Sequence, residues 1–277
     1  MNGPIAQAVA LTCHANAVLA GNAATPFFPS NSTCQFCDRV TFATRSQSLL
    51  GEASVELCAD SPDAWFSWLA SRSPGRALLR WAPTSTSDRS DRMTAGFVGG
   101  GGTWFIEVTG DQNRSNWWVP QWEVWNRSAP NRRIWRVAYT CRRGDAVRGN
   151  VAHLAAARAQ LAAAVADVHV FASAHDLKGF ADAFGRARET LTTGVLHGYH
   201  RDLAPAGFLD AAAVMTLDAC QSAWVFGGMG SWNDMAFAGA DQATYARISE
   251  ALFLALVAAI QAAVGDSGPS GRTALGA

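Results

Sequence analysis

Trp117-Trp118-Val119-Pro120-Gln121-Trp122-Glu123-Val124-Trp125 is the stretch on which the fold turns. Read with period two, Trp118, Trp122 and Val124 oppose Trp117, Val119 and Trp125, which is the pattern of a strand. Both faces therefore carry indoles. Each indole needs a large buried surface and a partner for its N–H, so such a strand calls for cover from both sides.

The same period extends outward. Strands are expected over 77–82, 92–98, 103–109, 117–125 and 134–141. In the third, Trp104, Ile106 and Val108 oppose Phe105, Glu107 and Thr109; in the fifth, Trp135, Val137 and Tyr139 oppose Ile134, Arg136 and Ala138. Gly99–Gly102 reads as a flexible hairpin connection between the second and third strands. A polar loop over 126–133, containing Pro130, suits another turn. Links this short predict an antiparallel meander. Earlier in the chain, Cys34, Phe36, Asp38, Val40 and Phe42 alternate as one more strand.

Helical periodicity flanks the sheet. Residues 4–21, with Pro4 near the start and Gly21 as a stop, read as an amphipathic first helix. Ser61-Pro62-Asp63 has the chemistry of a helix start and opens a short helix to residue 70. After Arg142-Arg143-Gly144-Asp145 the composition changes. Val151, Leu154, Arg158, Leu161, Val165 and Val168 then recur at spacings of three and four behind an Asn150 cap. Further helices are expected over 176–192, 209–226 and 241–265. The order helix, sheet, helices is α+β: a Trp-rich antiparallel sheet in residues 1–145 packed against a helical layer in 146–265, as one domain over 1–265. The Gly/Pro/Ser-rich tail, 266–277, is expected to be disordered.

Composition narrows the function classes. The chain has 277 residues, 49% hydrophobic and 16% charged, enough for a sizeable core. Basic and acidic residues balance at 22 each, so there is no electrostatic footprint for a nucleic-acid partner. Lys178 is the one lysine; arginine elsewhere, together with abundant alanine, points to a GC-rich bacterial genome. Six cysteines over this length suit a reducing cytoplasm better than a disulfide scaffold. The longest uncharged apolar stretch, Ala251 to Val264, is too short to span a bilayer, and no membrane association is expected.

Four groups of residues are candidates for chemistry. Cys34-x-x-Cys37 has zinc-ligand residue types, but the strand alternation places the two on opposite faces, which favours buried structural thiols. Cys141, followed by Arg142 and Arg143, has the one electropositive sequence setting. His197-Gly-Tyr-His200 would bring two imidazoles to one side of a helical turn, placed to hold zinc or iron or to move a proton; singly hydrogen-bonded histidines are the plainer reading. Asp167, Asp176, Asp202 and Asp210 would supply oxygen ligands. The aromatic sheet, with its interleaved arginines, offers either a stacking surface or a core under helices.

The fourth group is Trp224 to Asp234. Gly227, Gly228 and Gly230 abolish helix propensity and force a sharp turn between two helices. Their amides would form an anion-binding nest, or the glycines allow two backbones to approach closely while Trp232 fills a gap. The leading expectation is an enzyme acting on a small polar or aromatic molecule. Its pocket would lie between sheet and helices, with Asp234 as base or anchor, Asn233 orienting substrate, Trp224 and Trp232 as walls, and His197 or His200 as proton shuttle or metal ligand. The competing expectation is a non-catalytic interaction protein, of adaptor or immunity type, presenting an exposed Trp/Arg face to a protein partner.

Overall fold

A computed structural model describes residues 1–23, 25–47, 53–72, 75–84, 90–110, 114–145 and 152–265. The expectation for 266–277 lies outside them.

Six strands form one mixed sheet: β1 (Cys37–Gln47), β2 (Ala53–Ala59), β3 (Ala77–Ala82), β4 (Thr103–Thr109), β5 (Arg114–Val124) and β6 (Trp135–Asp145), in the order β2-β1-β6-β5-β4-β3. From β3 to β6 the chain makes the expected antiparallel meander. The β1–β2 hairpin then joins on the far side of β6, and there β1 runs parallel to β6, with Val40 opposite Val137 and Thr44 opposite Cys141. The sheet is thus mixed rather than wholly antiparallel, and β2 is a strand that periodicity did not reveal. One expected strand, 92–98, is absent: residues Asp91–Thr94 form a single helical turn, α3, followed by turns. Gly99–Gly102 therefore leads from a turn into β4 and does not reverse two strands.

Helix α1 (Gly3–Leu19) starts at Asn2, whose side chain accepts from the Ile5 amide, with Pro4 in its first turn. It is not amphipathic. Every residue from Ile5 to Ala17 is buried, the condition of a helix enclosed on all sides. Its polar side chains are consumed internally. Asn16 both donates to the Ala77 carbonyl and accepts from the Ala77 amide, each at 2.8 Å, so its amide stands in for a neighbouring strand at the free edge of β3. Further along that edge, the Trp81 amide donates to Gln261 Oε1 of the last helix, α7 (Gly239–Gly265). Two carboxamides thus close an edge that would otherwise offer open backbone.

Helix α2 (Pro62–Ala70), capped by Ser61, lays Trp65 and Trp68 on the sheet. Trp65 stacks on Phe42 at 4.4 Å, Phe42 on Tyr139 at 5.1 Å, and both indoles meet Trp118 edge-on. These rings form the sheet's main core contact. The opposite face is not sealed along β1, β6 and β5: Arg39, Gln121, Glu123 and Trp125 are exposed there. The expected cover from both sides is therefore incomplete.

The remaining helices, α4 (Leu154–Ala174), α5 (Lys178–Thr193), α6 (Ala211–Ala223) and α7 (Gly239–Gly265), pack side by side in a ring, α4 against α5, α5 against α6, α6 against α7 and α7 against α4. By length and composition α4 and α7 could each cross a membrane, but 67% of the most apolar window of α7 is buried in this fold, the condition of a core helix.

Candidate functional site

Helix α5 ends at Gly194, whose φ of 80° is the left-handed stop of a helix C-terminus. Residues 195–210 then cross without helix or strand before Asp210 caps α6. Such a segment needs partners for its backbone, and two side chains one turn apart on α6 supply them. The buried Asp218 carboxylate accepts from the His197 amide at 2.8 Å, the Gly198 amide at 2.7 Å and the Thr190 hydroxyl at 3.1 Å. Gln221 grips His200 from both directions: its Oε1 accepts from the His200 amide at 2.8 Å, and its Nε2 donates to the His200 carbonyl at 3.1 Å. Gly198 is required for this approach, because a Cβ there would lie 2.6 Å from both Asp218 Oδ2 and Gln221 Nε2.

With its backbone clamped, His200 is then oriented through its ring. Nδ1 lies 2.7 Å from Ser32 Oγ. Ser32 Oγ in turn donates to Asp202 Oδ1, while the Ser32 amide donates to Asp202 Oδ2 at 2.7 Å. Asn31, which caps the 3₁₀ turn Ser32–Cys34, donates from its side chain to the Asp202 carbonyl at 2.8 Å. Since the Ser32 proton goes to the carboxylate, the hydroxyl oxygen is free to accept, and the satisfied arrangement has the proton of neutral His200 on Nδ1. Its Nε2 lone pair then has no protein partner among the described residues. Burial holds the His200 pKa below the ordinary imidazole value, against the pull of the nearby Asp202 charge, so the ring is neutral at pH 7.

His200 lines a cleft of about 150 Å³ between this segment and α6. Leu196, Leu203, Leu209, Val214 and Leu217 supply apolar lining, and His200, Arg201, Asp218 and Gln221 are its polar residues. An imidazole with a fixed tautomer beside an apolar hollow can accept a proton from a bound molecule or from a water attacking one.

The other expected site residues are placed differently. Trp232 is fully buried inside the helical ring, edge-on to Phe180 and Phe184, with its Nε1 donating to Ser249 Oγ at 2.7 Å. Asn233 exchanges two bonds with Arg92: its Oδ1 accepts from the guanidinium at 2.9 Å and its Nδ2 donates to the Arg92 carbonyl at 2.8 Å. Asp234 Oδ2 accepts from the Ser231 amide at 3.2 Å in a capping box over the 3₁₀ turn Trp232–Asp234. Neither Asn233 nor Asp234 lines the His200 cleft or two further clefts, of about 240 and 730 Å³. The Gly227 backbone packs on Gly96, but that contact requires glycine at 96 and not at 227, since a Cβ on Gly227 would meet only Ser231 Cβ at 3.4 Å; Gly230 has a φ of 78°, and Gly228 has no neighbour that would exclude a Cβ. Trp224 does line a cleft between sheet and helices, the one of about 240 Å³, with Trp104 and Trp122. The turn that sequence reading placed at the centre of a pocket thus sends Trp232 into the core and leaves Gly228, Met229, Gly230 and Asp234 exposed. Its polar groups bond to Arg92, Ser249 and local backbone.

His197 and His200 do not share a helical turn. His197 Nε2 pairs with Glu189 at 2.8 Å while His200 faces Ser32. Among the described residues, no three His, Cys, Asp or Glu side chains are grouped to hold a metal ion. Cys34 and Cys37 also depart from expectation. Because Cys34 ends a 3₁₀ turn before β1 begins, the two thiols sit together and not on opposite faces: Gln7 Nε2 lies 3.7 Å from one sulfur and 3.5 Å from the other. Their mutual hydrogen bond raises the pKa of Cys34 and lowers that of Cys37. Burial pushes Cys13 and Cys220 up to about 12 and Cys141 up to about 11, so these three remain protonated and weakly nucleophilic.

Sequence reading missed Ser32, Asp218 and Gln221, and it gave Asp202 a metal-ligand role instead of a link to Ser32. One signal was present: Asp218 and Gln221 are the long or charged polar residues, three apart, on a helix otherwise of apolar and small hydroxyl residues. Comparison of the chain with protein families, with curated proteins and with solved structures finds no match.

Proposed function

We propose that this chain is a hydrolytic enzyme in which His200 acts as general base on a small substrate with an apolar body. The observation that carries the reading is the relay from Asp202 through Ser32 to His200 Nδ1, which leaves Nε2 available in a neutral ring beside the cleft. In the reaction Nε2 takes a proton from water as its oxygen bonds to an acyl carbon. The proton then passes to the leaving group as the acyl bond breaks. A cleft of about 150 Å³ suits a substrate of one ring or a short acyl chain. The free thiols, five of them buried, accord with a reducing compartment such as the cytoplasm.

Hydrolysis of 4-nitrophenyl acetate tests this. The wild-type rate is expected to rise with pH to a plateau by neutrality, because the base works unprotonated and its pKa lies below 6.5. His200→Gln is expected to lose about 100-fold in kcat/KM. Ser32→Ala is expected to lower kcat while leaving KM near its original value, the mark of a positioning residue. Equal rates in wild type and His200→Gln would overturn the proposal.

The interaction-protein reading has one observation in its favour. Trp125 is 53% exposed on the unsealed sheet face, with the Arg136 guanidinium 3.1 Å from its ring centre. Most of the other indoles of that region are half-buried or buried, which is why the catalytic reading is preferred.

A further inference from the structure

We propose that the cleft where β1, β6 and β5 run past the end of α2 binds a small phosphorylated molecule. It is independent of the His200 reading and draws on other residues. Register builds it: Thr44 pairs with Cys141 across β1 and β6 and with Glu56 across β1 and β2, while Asn116 pairs with Arg143 across β5 and β6. Around these positions Arg45, Arg72, Arg142 and Arg143 line a cleft of about 730 Å³ with Trp68, and Glu56 is the one carboxylate of the lining.

Some arginines elsewhere in the fold are neutralised by a carboxylate: Arg80 pairs with Glu107 at 2.6 Å, Arg136 with Asp38 at 2.9 Å, and Arg201 with Asp218 at 3.4 Å. Here the side chains of Arg45, Arg142 and Arg143 make no hydrogen bond or ion pair among the described residues, and Arg72 lies over the Trp68 ring at 3.8 Å and donates only to the neutral Trp68 carbonyl and Ser71 hydroxyl, each at 3.4 Å. Four guanidinium groups against one carboxylate repel one another and leave a positive field that the cleft walls concentrate. An anion relieves that repulsion. Guanidinium groups match phosphate oxygens two at a time, and a cleft of this size accepts a nucleotide-sized molecule. Trp68, at the wall, offers apolar surface to a ring carried on the phosphate. The Cys141 thiol at this cleft stays protonated and adds no opposing charge. A bounded cleft on a chain of zero net charge favours a small ligand over a nucleic-acid strand, which needs an extended basic track.

Isothermal titration of the full chain with inorganic pyrophosphate, and separately with ADP, tests this at low salt. Saturable one-to-one binding is expected, weakening as salt is added. The Arg142→Gln/Arg143→Gln double variant is expected to bind at least tenfold more weakly with its thermal unfolding unchanged. Arg72→Gln, on a different element, serves as the second variant should the first fail to fold. Absence of saturable binding, unchanged affinity in the folded variants, or tighter binding of a single-stranded oligonucleotide than of either small ligand would overturn the proposal.

Discussion

Gly96 and Gly227 meet backbone to backbone, and the contact is one-sided in what it demands. A Cβ on Gly96 would stand 2.0 Å from the Gly227 carbonyl oxygen, whereas a Cβ on Gly227 would meet only Ser231 Cβ at 3.4 Å. Gly96→Ala must push two chain segments apart and is expected to destabilise by about 3 kcal/mol. Gly227→Ala is expected to stay within about 1 kcal/mol. Urea unfolding of the two variants checks the contrast, and comparable losses would contradict a one-sided contact. This pair also shows why residue-level reading stopped where it did. The turn at 227–230 was visible in its glycines, but the segment it packs against, at Gly96, is far away in sequence and is the one that needs the glycine. The same holds for Asn233, whose partner Arg92 nothing local announces, and for Ser32, which acquires a role only when Asp202 and His200 fold back onto it.

Among the elements, those whose apolar side faces the core were legible. β3 and β4 fall where alternation put them, and six of the helices lie close to their expected spans. β2 was not legible because its Val55 and Leu57 are 60% and 59% exposed, so its apolar residues report no buried face. The false strand at 92–98 has the same origin, since Met93, Phe97 and Val98 are apolar yet exposed. The parallel pairing of β1 with β6 left no local trace, because it joins segments that the whole meander separates. The edge of β3 gives the element-scale test. Asn16→Ala would strip both bonds from Ala77 in a buried setting and is expected to cost about 2 kcal/mol or more. Hydrogen exchange at the Ala77 amide should accelerate while the Trp81 amide, held by Gln261, stays protected. Unchanged exchange at Ala77 would mean that the carboxamide does not close the edge.

For the molecule as a whole, buried titratable groups bound the pH range of stability from both sides. Burial lowers the pKa of His14 and of His200 in the folded state, so the unfolded chain takes up these protons first as pH falls through 6.5. The contribution of these two histidines should be complete above that value and decline below it. Burial raises Cys13 and Cys220 to about 12 and Cys141 to about 11, against an ordinary 9.0. The unfolded chain therefore loses those protons first, and stability should decline again as pH rises past 9. Urea midpoints across pH are expected to form a plateau between these limits. His14→Phe and His200→Gln should flatten the acid side, and a profile unchanged by both would contradict the assignment.

The parallel junction of β1 and β6 also orders events at the ribosome. The first hairpin emerges early, but the neighbour that completes its inner edge is synthesised only after α2 and three further strands. Until then the edge of β1 is open to any passing extended segment, and the sheet cannot zip shut from its beginning. A nascent chain of this topology has reason to be chaperoned until residue 145 clears the exit tunnel.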